Sequence, residues 1–260
     1  MLNRTFQFFR GGSLYFCRYD AEKFPVEILQ EELFEPPSEP EQVFKHSKSC
    51  FAAEWKLPGL TFSIFYKRNP RKGLKYVLRY LFQKPRVFHA AKVTEHLLKA
   101  GIRTPDIYFC GMHRRFFLPV CGCSASEFLT GAVSVNTLMR AADTPEKIAE
   151  ITERAACLLK EIHAAGVYHG DYKLFNLYES DGQFGVIDLD GSIIFRHGVP
   201  LSYRKKDLIR LAVGVIHCKN DDFSLLPEVC DIILRHGGTE WNAEALAAGV
   251  KRFFKRKPPK

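Results

Sequence analysis

Residues 168–190 read Tyr-His-Gly-Asp-Tyr-Lys-Leu-Phe-Asn-Leu-Tyr-Glu-Ser-Asp-Gly-Gln-Phe-Gly-Val-Ile-Asp-Leu-Asp, and this stretch limits the fold more than any other. Two short apolar runs of β type, 175–178 and 184–187, flank Glu179-Ser180-Asp181-Gly182. An Asp-Gly pair between such runs predicts a tight β-hairpin, because the turn needs residues that tolerate positive φ. His169, Asp171, Lys173 and Asn176 stand just before the hairpin, and Asp188 and Asp190 just after it. The hairpin therefore returns two polar clusters to one end of a small ribbon.

Such a grouping suits phosphoryl transfer. One carboxylate must hold the attacking hydroxyl, and an amide with a second carboxylate must hold magnesium on the phosphates. Asp171 and Asn176 stand five residues apart, the spacing of a kinase catalytic loop. Asp188 follows the apolar pair Val186-Ile187, where kinases keep a metal-binding Asp. An acidic surface turn would explain one of these features, but not the full set at these spacings. Asp171 is thus the candidate hydroxyl-orienting base, and Asn176 and Asp188 are the candidate magnesium ligands.

Size and charge narrow the rest. A chain of 260 residues suits one large domain or two small lobes, and 46% apolar residues can fill a core. No apolar run approaches the roughly 18–20 residues of a membrane span. The first residues lack the apolar core and cleavage site of a signal peptide, so a cytoplasmic chain is expected. Eight Cys show no paired framework, and Cys121-Gly-Cys123 is too close for a zinc knuckle. Free thiols in a reducing compartment are expected. The net charge of +9 is concentrated: eight Lys or Arg and no acid between Tyr66 and Arg86, and six in the tail 251–260. Such clusters attract phosphate, acidic sugars, anionic lipid head groups or nucleic acid.

Residues 1–40 give few signals. Phe6, Phe8, Phe9, Leu14, Tyr15 and Phe16 can form a hairpin around Gly11-Gly12, and Pro36-Pro37-Ser38-Glu39-Pro40 reads as a linker or exposed loop. Strands are expected at 43–44, 51–55 and 60–66, with a Pro58-Gly59 turn. Lys67 lies at the end of the last, sharing a face with Thr61, Ser63 and Phe65 by the period of two. A kinase uses such a lysine on nucleotide phosphates; a solvated lysine opening a basic run is the plainer alternative.

Leu74, Val77, Leu78, Leu81 and Phe82 recur at helical spacing, with Lys72, Lys75 and Arg79 mostly off the stripe. This is a short basic amphipathic helix, suited to the core or to an anionic surface. A second helix over 88–100 ends at Gly101 and carries Glu95, the only acid between Lys67 and Pro105. Glu95 is therefore the one candidate partner for Lys67. Strands at 107–110 and 116–120 are joined by Gly-Met-His-Arg-Arg, and 119–124 reads as a crossover between lobes whose backbone amides could hold adenine. Thr144-Pro145-Glu146 starts a long helix that Gly166 ends just before His169. Further helices are expected at 207–217, 227–235 and 242–254. Strands first and helices later predict an α+β chain of two lobes, 1–120 and 121–260.

His169-Gly-Asp171-Tyr-Lys173-Leu-Phe-Asn176-Leu, followed by Val186-Ile187-Asp188-Leu-Asp190, resembles the bacterial lipopolysaccharide kinase family. That family phosphorylates inner-core sugars, heptose or 3-deoxy-octulosonic acid. Residues 65–76 and 97–105 are also similar to it, and the likeness spans residues 43–215. The resemblance implies a protein-kinase-like fold: an N-lobe of antiparallel sheet plus a helix, and a mainly helical C-lobe with the catalytic hairpin. It implies ATP, Mg²⁺ and a sugar hydroxyl as acceptor. By position, Asp171 is then the catalytic base and Lys173 steadies the transferring phosphoryl group. Asn176 and Asp188 bind magnesium, Lys67 contacts the α- and β-phosphates, and Glu95 holds Lys67. The basic segment 66–86 and the tail 251–260 are the expected contacts to an acidic glycolipid acceptor or to the inner face of an anionic membrane.

Four departures from a protein kinase are visible, the first being a basic insertion between Lys67 and Glu95. Lys45-His46-Ser47-Lys48-Ser49 replaces the Gly-rich loop, leaving backbone amides or Lys48 to cover the phosphates. Asp190 stands where Asp-Phe-Gly has its Gly. No long activation segment follows, which argues against a protein substrate. Two other readings use the same residues: a small-molecule kinase of the aminoglycoside or choline type, and a non-catalytic nucleotide-binding regulator at the membrane. A nucleic-acid-binding tail is the weakest reading.

Overall fold

The computed structural model describes residues 1–28, 31–48, 50–70, 73, 77, 86–238 and 240–256. The expected basic helix with Lys72, Lys75 and Arg79 lies outside the described residues. The chain is α+β and divides into two compact units: Met1–Glu95 with Pro105–Thr130, and His96–Thr104 with Gly131–Lys260.

The first unit is built on seven antiparallel strands. They are β1 (Arg4–Arg10), β2 (Ser13–Tyr19), β3 (Gln42–Ser47), β4 (Cys50–Trp55), β5 (Ile64–Pro70), β6 (Ile107–Arg115) and β7 (Leu118–Glu127). Their order in the sheet is β1-β2-β6-β7-β5-β4-β3. The expected β1–β2 hairpin forms, with Gly11 and Gly12 at φ of 54° and 76°. Side chains alternate between the two faces. On β5, Ile64 and Tyr66 are buried on one side while Phe65 and Lys67 project to the other.

One face is covered by residues 20–28 and 31–35. Phe24, Leu33 and Phe34 are fully buried among Tyr66, Phe109, Cys121 and Cys123. The Tyr66 hydroxyl donates to Leu33 O at 2.7 Å and to Glu35 O at 3.1 Å, and Arg68 pairs with Glu35 at 2.9 Å. This strap has no periodic pattern, because isolated anchors and backbone carbonyls hold it. The opposite face carries α1 (Arg86–Lys99), whose Val87, Phe88 and Ala91 pack with Leu2 and Cys110.

Four expectations are corrected here. The Gly-Met-His-Arg-Arg joint is strand, because β6 is paired by β2 on one side and β7 on the other. The turn is Phe116-Phe117, expected to begin a strand, and both residues are left-handed, at φ of 47° and 65°. That conformation costs a non-glycine residue about 1–2 kcal/mol, so nothing in aromatic propensity announces it. Residues 119–124, expected as a crossover, lie inside β7, where Cys121, Cys123 and Ala125 are small enough to face the packed strap. Lys67 is likewise interior to β5, which continues to Pro70.

The second unit packs α2 (Val135–Ala141), α3 (Pro145–Ala164), α4 (Leu201–Cys218), α5 (Leu226–His236) and α6 (Ala243–Arg256). Its short strands are β8 (Val133–Ser134), β9 (Val167–Tyr168), β10 (Leu177–Ser180), β11 (Gln183–Val186) and β12 (Ile193–Ile194). The Thr144 side chain accepts Lys147 N–H at 3.4 Å, the predicted cap of α3. Buried Ala155, Leu159 and Ile162 of α3, Leu208, Leu211 and Val215 of α4 and Ile233 of α5 make the core. The seven-residue α2 had no sequence signal. All eight cysteines are free thiols; seven are buried and Cys157 is half-buried.

Candidate active site

The predicted hairpin is present in the second unit. Antiparallel β10 and β11 join at Asp181-Gly182, with φ of 52° and 71°. Val186 N–H donates to Arg103 O at 3.0 Å, and the Arg103 guanidinium donates to Ser180 O at 2.8 Å and pairs with Asp181 at 3.1 Å. One arginine thus ties the turn to the residue that receives the end of β11.

Upstream, β9 pairs with β12 and leads into His169-Gly170-Asp171. His169 is fully buried. Its Nδ1 accepts the Asp171 backbone N–H at 3.2 Å, so that nitrogen carries no proton. Its Nε2 faces Ile187 O at 3.1 Å and must donate to it. Burial pushes the pKa of this ring down, and the neutral tautomer satisfies both contacts. The imidazole therefore staples the loop before the hairpin to the residue that follows β11.

Asp171, Lys173 and Asn176 converge. Lys173 Nζ lies 2.7 Å from Asp171 Oδ2. Asn176 Nδ2 donates to the same carboxylate oxygen at 3.1 Å and to Asp171 O at 2.9 Å. A one-turn 3₁₀ helix, Leu174–Asn176, sets this register, with Asn176 N–H donating to Lys173 O at 2.8 Å. Asn176 O accepts Ile187 N–H at 2.9 Å, which places Asn176 beside the residue preceding Asp188. Asp188 is left-handed, φ 61° and ψ 58°, a conformation Asp tolerates better than most residues. Gly170 has φ of 85°, and a Cβ there would stand 2.7 Å from Gly191 O. Only glycine fits between His169 and Asp171.

Sequence reasoning missed Asp207. This fully buried carboxylate on α4 accepts His169 N–H at 3.0 Å, Gly170 N–H at 3.1 Å and His163 Nε2–H at 3.3 Å. Arg210 stands 3.6 Å from it and donates to the Tyr168 hydroxyl at 3.1 Å. An Asp in the first half of an amphipathic helix looks like a surface residue, and only its contacts reveal it. Tyr172, also fully buried, donates to Ala155 O at 2.7 Å and anchors the loop on α3.

The first unit holds the other predicted residues. Lys67 is registered opposite Ser124, which is opposite Cys110, so their side chains share a face. Cys110 packs under α1, and Glu95 belongs to α1; Lys67 and Glu95 are therefore on one side of the sheet. Glu95 Oε1 accepts the Leu2 backbone N–H at 3.1 Å. Lys48 is exposed at the β3–β4 turn.

The donor set fits magnesium rather than zinc. Among the described residues, no three His, Cys, Asp or Glu gather into a self-sufficient metal site. Magnesium needs only one or two protein oxygens, with water and phosphate completing its shell. Asn176, whose amide nitrogen is committed to Asp171, has Oδ1 as an oxygen donor, and Asp188 follows two residues after the end of β11.

A family model described as "Lipopolysaccharide kinase (Kdo/WaaP) family" matches residues 58–224. Among curated proteins, none matches. A solved structure titled "WaaP in complex with acyl carrier protein" has a similar fold, with a TM-score of 0.57 and 19% identity. The alignment covers 83% of this chain and 86% of that one.

Proposed function

This chain belongs to the lipopolysaccharide kinase (Kdo/WaaP) family of phosphotransferases, and from that premise we propose that it phosphorylates a sugar hydroxyl of the lipopolysaccharide inner core. The observation that carries the proposal is the convergence of Lys173 and Asn176 on one oxygen of Asp171. That arrangement fixes a carboxylate in one rotamer and leaves its other oxygen to meet an alcohol.

Asp171 accepts a hydrogen bond from the acceptor hydroxyl and takes its proton as the new P–O bond forms and the bond to the leaving diphosphate breaks. Lys173, half-exposed beside it, offsets the charge on the transferring group. Bound Mg²⁺–ATP supplies the phosphoryl group and much of the charge neutralisation that a loose transition state needs. Asn176 and Asp188 would hold the metal. Lys67 would contact the α- and β-phosphates with Glu95 orienting it, and Lys48 would cover them in place of a Gly-rich loop. His169 braces the loop and moves no proton, since both its nitrogens are occupied. A cytoplasmic, peripheral place at the inner membrane, with 66–86 and 251–260 toward the acidic acceptor, completes the proposal.

The test is incubation with labelled ATP and lipopolysaccharide cores truncated at successive sugars. Label should enter cores only once the accepting sugar is present. Transfer to aminoglycosides, choline or free sugars but to no core would establish the small-molecule reading. ATP turnover with no acceptor labelled would point to the regulator.

A further inference from the structure

Two turns of the first unit lie side by side at one end of its sheet. Phe116 N–H donates to Gly12 O at 3.1 Å, and the Phe116 ring is so close to Gly12 that a Cβ there would stand 3.0 Å from it. Around this junction four apolar residues are exposed: Phe9 at 74%, Phe116 at 68%, Phe117 at 82% and Leu118 at 40%. No acidic residue occurs in 7–14 or 112–119, while Arg10, Arg114 and Arg115 do. The Arg115 guanidinium lies 5.7 Å from the Phe116 ring, Arg114 donates to Phe117 O at 3.1 Å, and Arg10 pairs with Glu31 at 3.1 Å.

Solvent exposure of three phenylalanines and a leucine in one place has no role in folding this unit. The turn is also the wrong one for its residues. Two positive φ values in a two-residue hairpin loop call for Asn-Gly or Asp-Gly, and two phenylalanines hold that conformation against their own preference. Strain of this kind persists where it presents a side chain to something else. Apolar rings at the end of a hairpin, ringed by arginines, match the acyl boundary and anionic headgroups of a bilayer.

We infer that the paired turns are a membrane-docking tip. Phe116 and Phe117 enter the headgroup–acyl boundary of an anionic bilayer, while Arg114 and Arg115 engage lipid phosphates. This contact uses residues other than those of the basic stretches 66–86 and 251–260, and it stands whether or not Asp171 is the base.

The test is co-sedimentation of the full chain with phosphatidylcholine vesicles, with and without phosphatidylglycerol. The double variant Phe116→Asn/Phe117→Gly installs the preferred turn, so it should melt no lower than the parent. Its vesicle partition should fall about tenfold or more, the scale of one lost buried aromatic side chain. Arg115→Gln should weaken binding several-fold on anionic vesicles only. Phe117→Trp should gain fluorescence quenching by brominated lipid over the parent. Parental partition by the double variant, or no added quenching at position 117, overturns the inference and assigns the exposed pair to a protein partner.

Discussion

Asp207 Oδ2 accepts the His169 backbone N–H at 3.0 Å, although 38 residues separate the two. Oδ1 takes the next amide, Gly170, at 3.1 Å. One buried carboxylate on a helix thus orients the loop that presents Asp171. Asp207→Asn places an NH₂ where a donor already points. Stability should drop by about 3–5 kcal/mol, as for other broken buried charge contacts. Urea denaturation reads that loss, and kcat should fall while ATP affinity changes little. Unchanged kcat in a folded variant would detach Asp207 from the site.

Asp171 is the group assigned to the acceptor hydroxyl. Asp171→Ala should retain the fold and ATP binding, and lose at least about two orders of magnitude in rate, the scale of a positioned base. Near-parental turnover would remove Asp171 from the chemistry.

Burial holds the His169 pKa below its ordinary 6.5. Above that value the folded and unfolded chains are both neutral at this ring, and its contribution is complete. As pH falls below it, the unfolded chain takes up a proton that the folded one refuses, so stability declines. His113, also pushed down by burial, acts in the same direction. His169→Asn should therefore flatten part of the slope of unfolding free energy against pH on the acid side. An unaltered slope would show that the buried ring does not carry it.

Gly170 separates His169 from Asp171 at φ of 85°, with Gly191 O 2.7 Å from where a Cβ would sit. Gly170→Ala meets backbone, which yields little. Stability should fall by about 1–3 kcal/mol, the usual range for enforced backbone strain, and kcat should fall with it. Gly191→Ala, whose Cβ meets nothing within 4 Å, is the matched control.

The strap of the first unit is a separate matter. Phe34 is 1% exposed and Tyr66 donates to the carbonyl just before it. Phe34→Ala should cost about 3–5 kcal/mol, and Tyr66→Phe about 1 kcal/mol. Thermal melts of the two variants rank the contributions. A larger loss in Tyr66→Phe than in Phe34→Ala would mean that the strap is held by its hydrogen bonds more than by its anchors.

What could be read from sequence was local. The turn at Asp181-Gly182, the caps at Thr144 and Gly166 and the spacing of Asp171, Asn176 and Asp188 all lie within a few residues of what they determine. The β1–β2 hairpin was legible for the same reason. Asp207 was not, because its meaning resides in amides 37 and 38 residues away. The strap was not, because Phe24, Leu33 and Phe34 follow no period. Residues 119–124 read as a crossover, yet Cys121, Cys123 and Ala125 supply small residues to the crowded face of a strand. The Phe116-Phe117 turn ran against propensity, and a sequence pattern carries no sign of such a reversal.

The cysteines bear on how this chain can be handled. Thiol reagents attack the thiolate, and burial lifts the Cys17 thiol to about 12 and those of Cys121 and Cys230 to about 11. Partial burial raises the Cys157 thiol on α3 as well, but it is the one thiol that is only half-buried. A maleimide dye near neutral pH should therefore label that single position first. The native chain thus comes with its own preferred attachment point for a fluorophore or spin label.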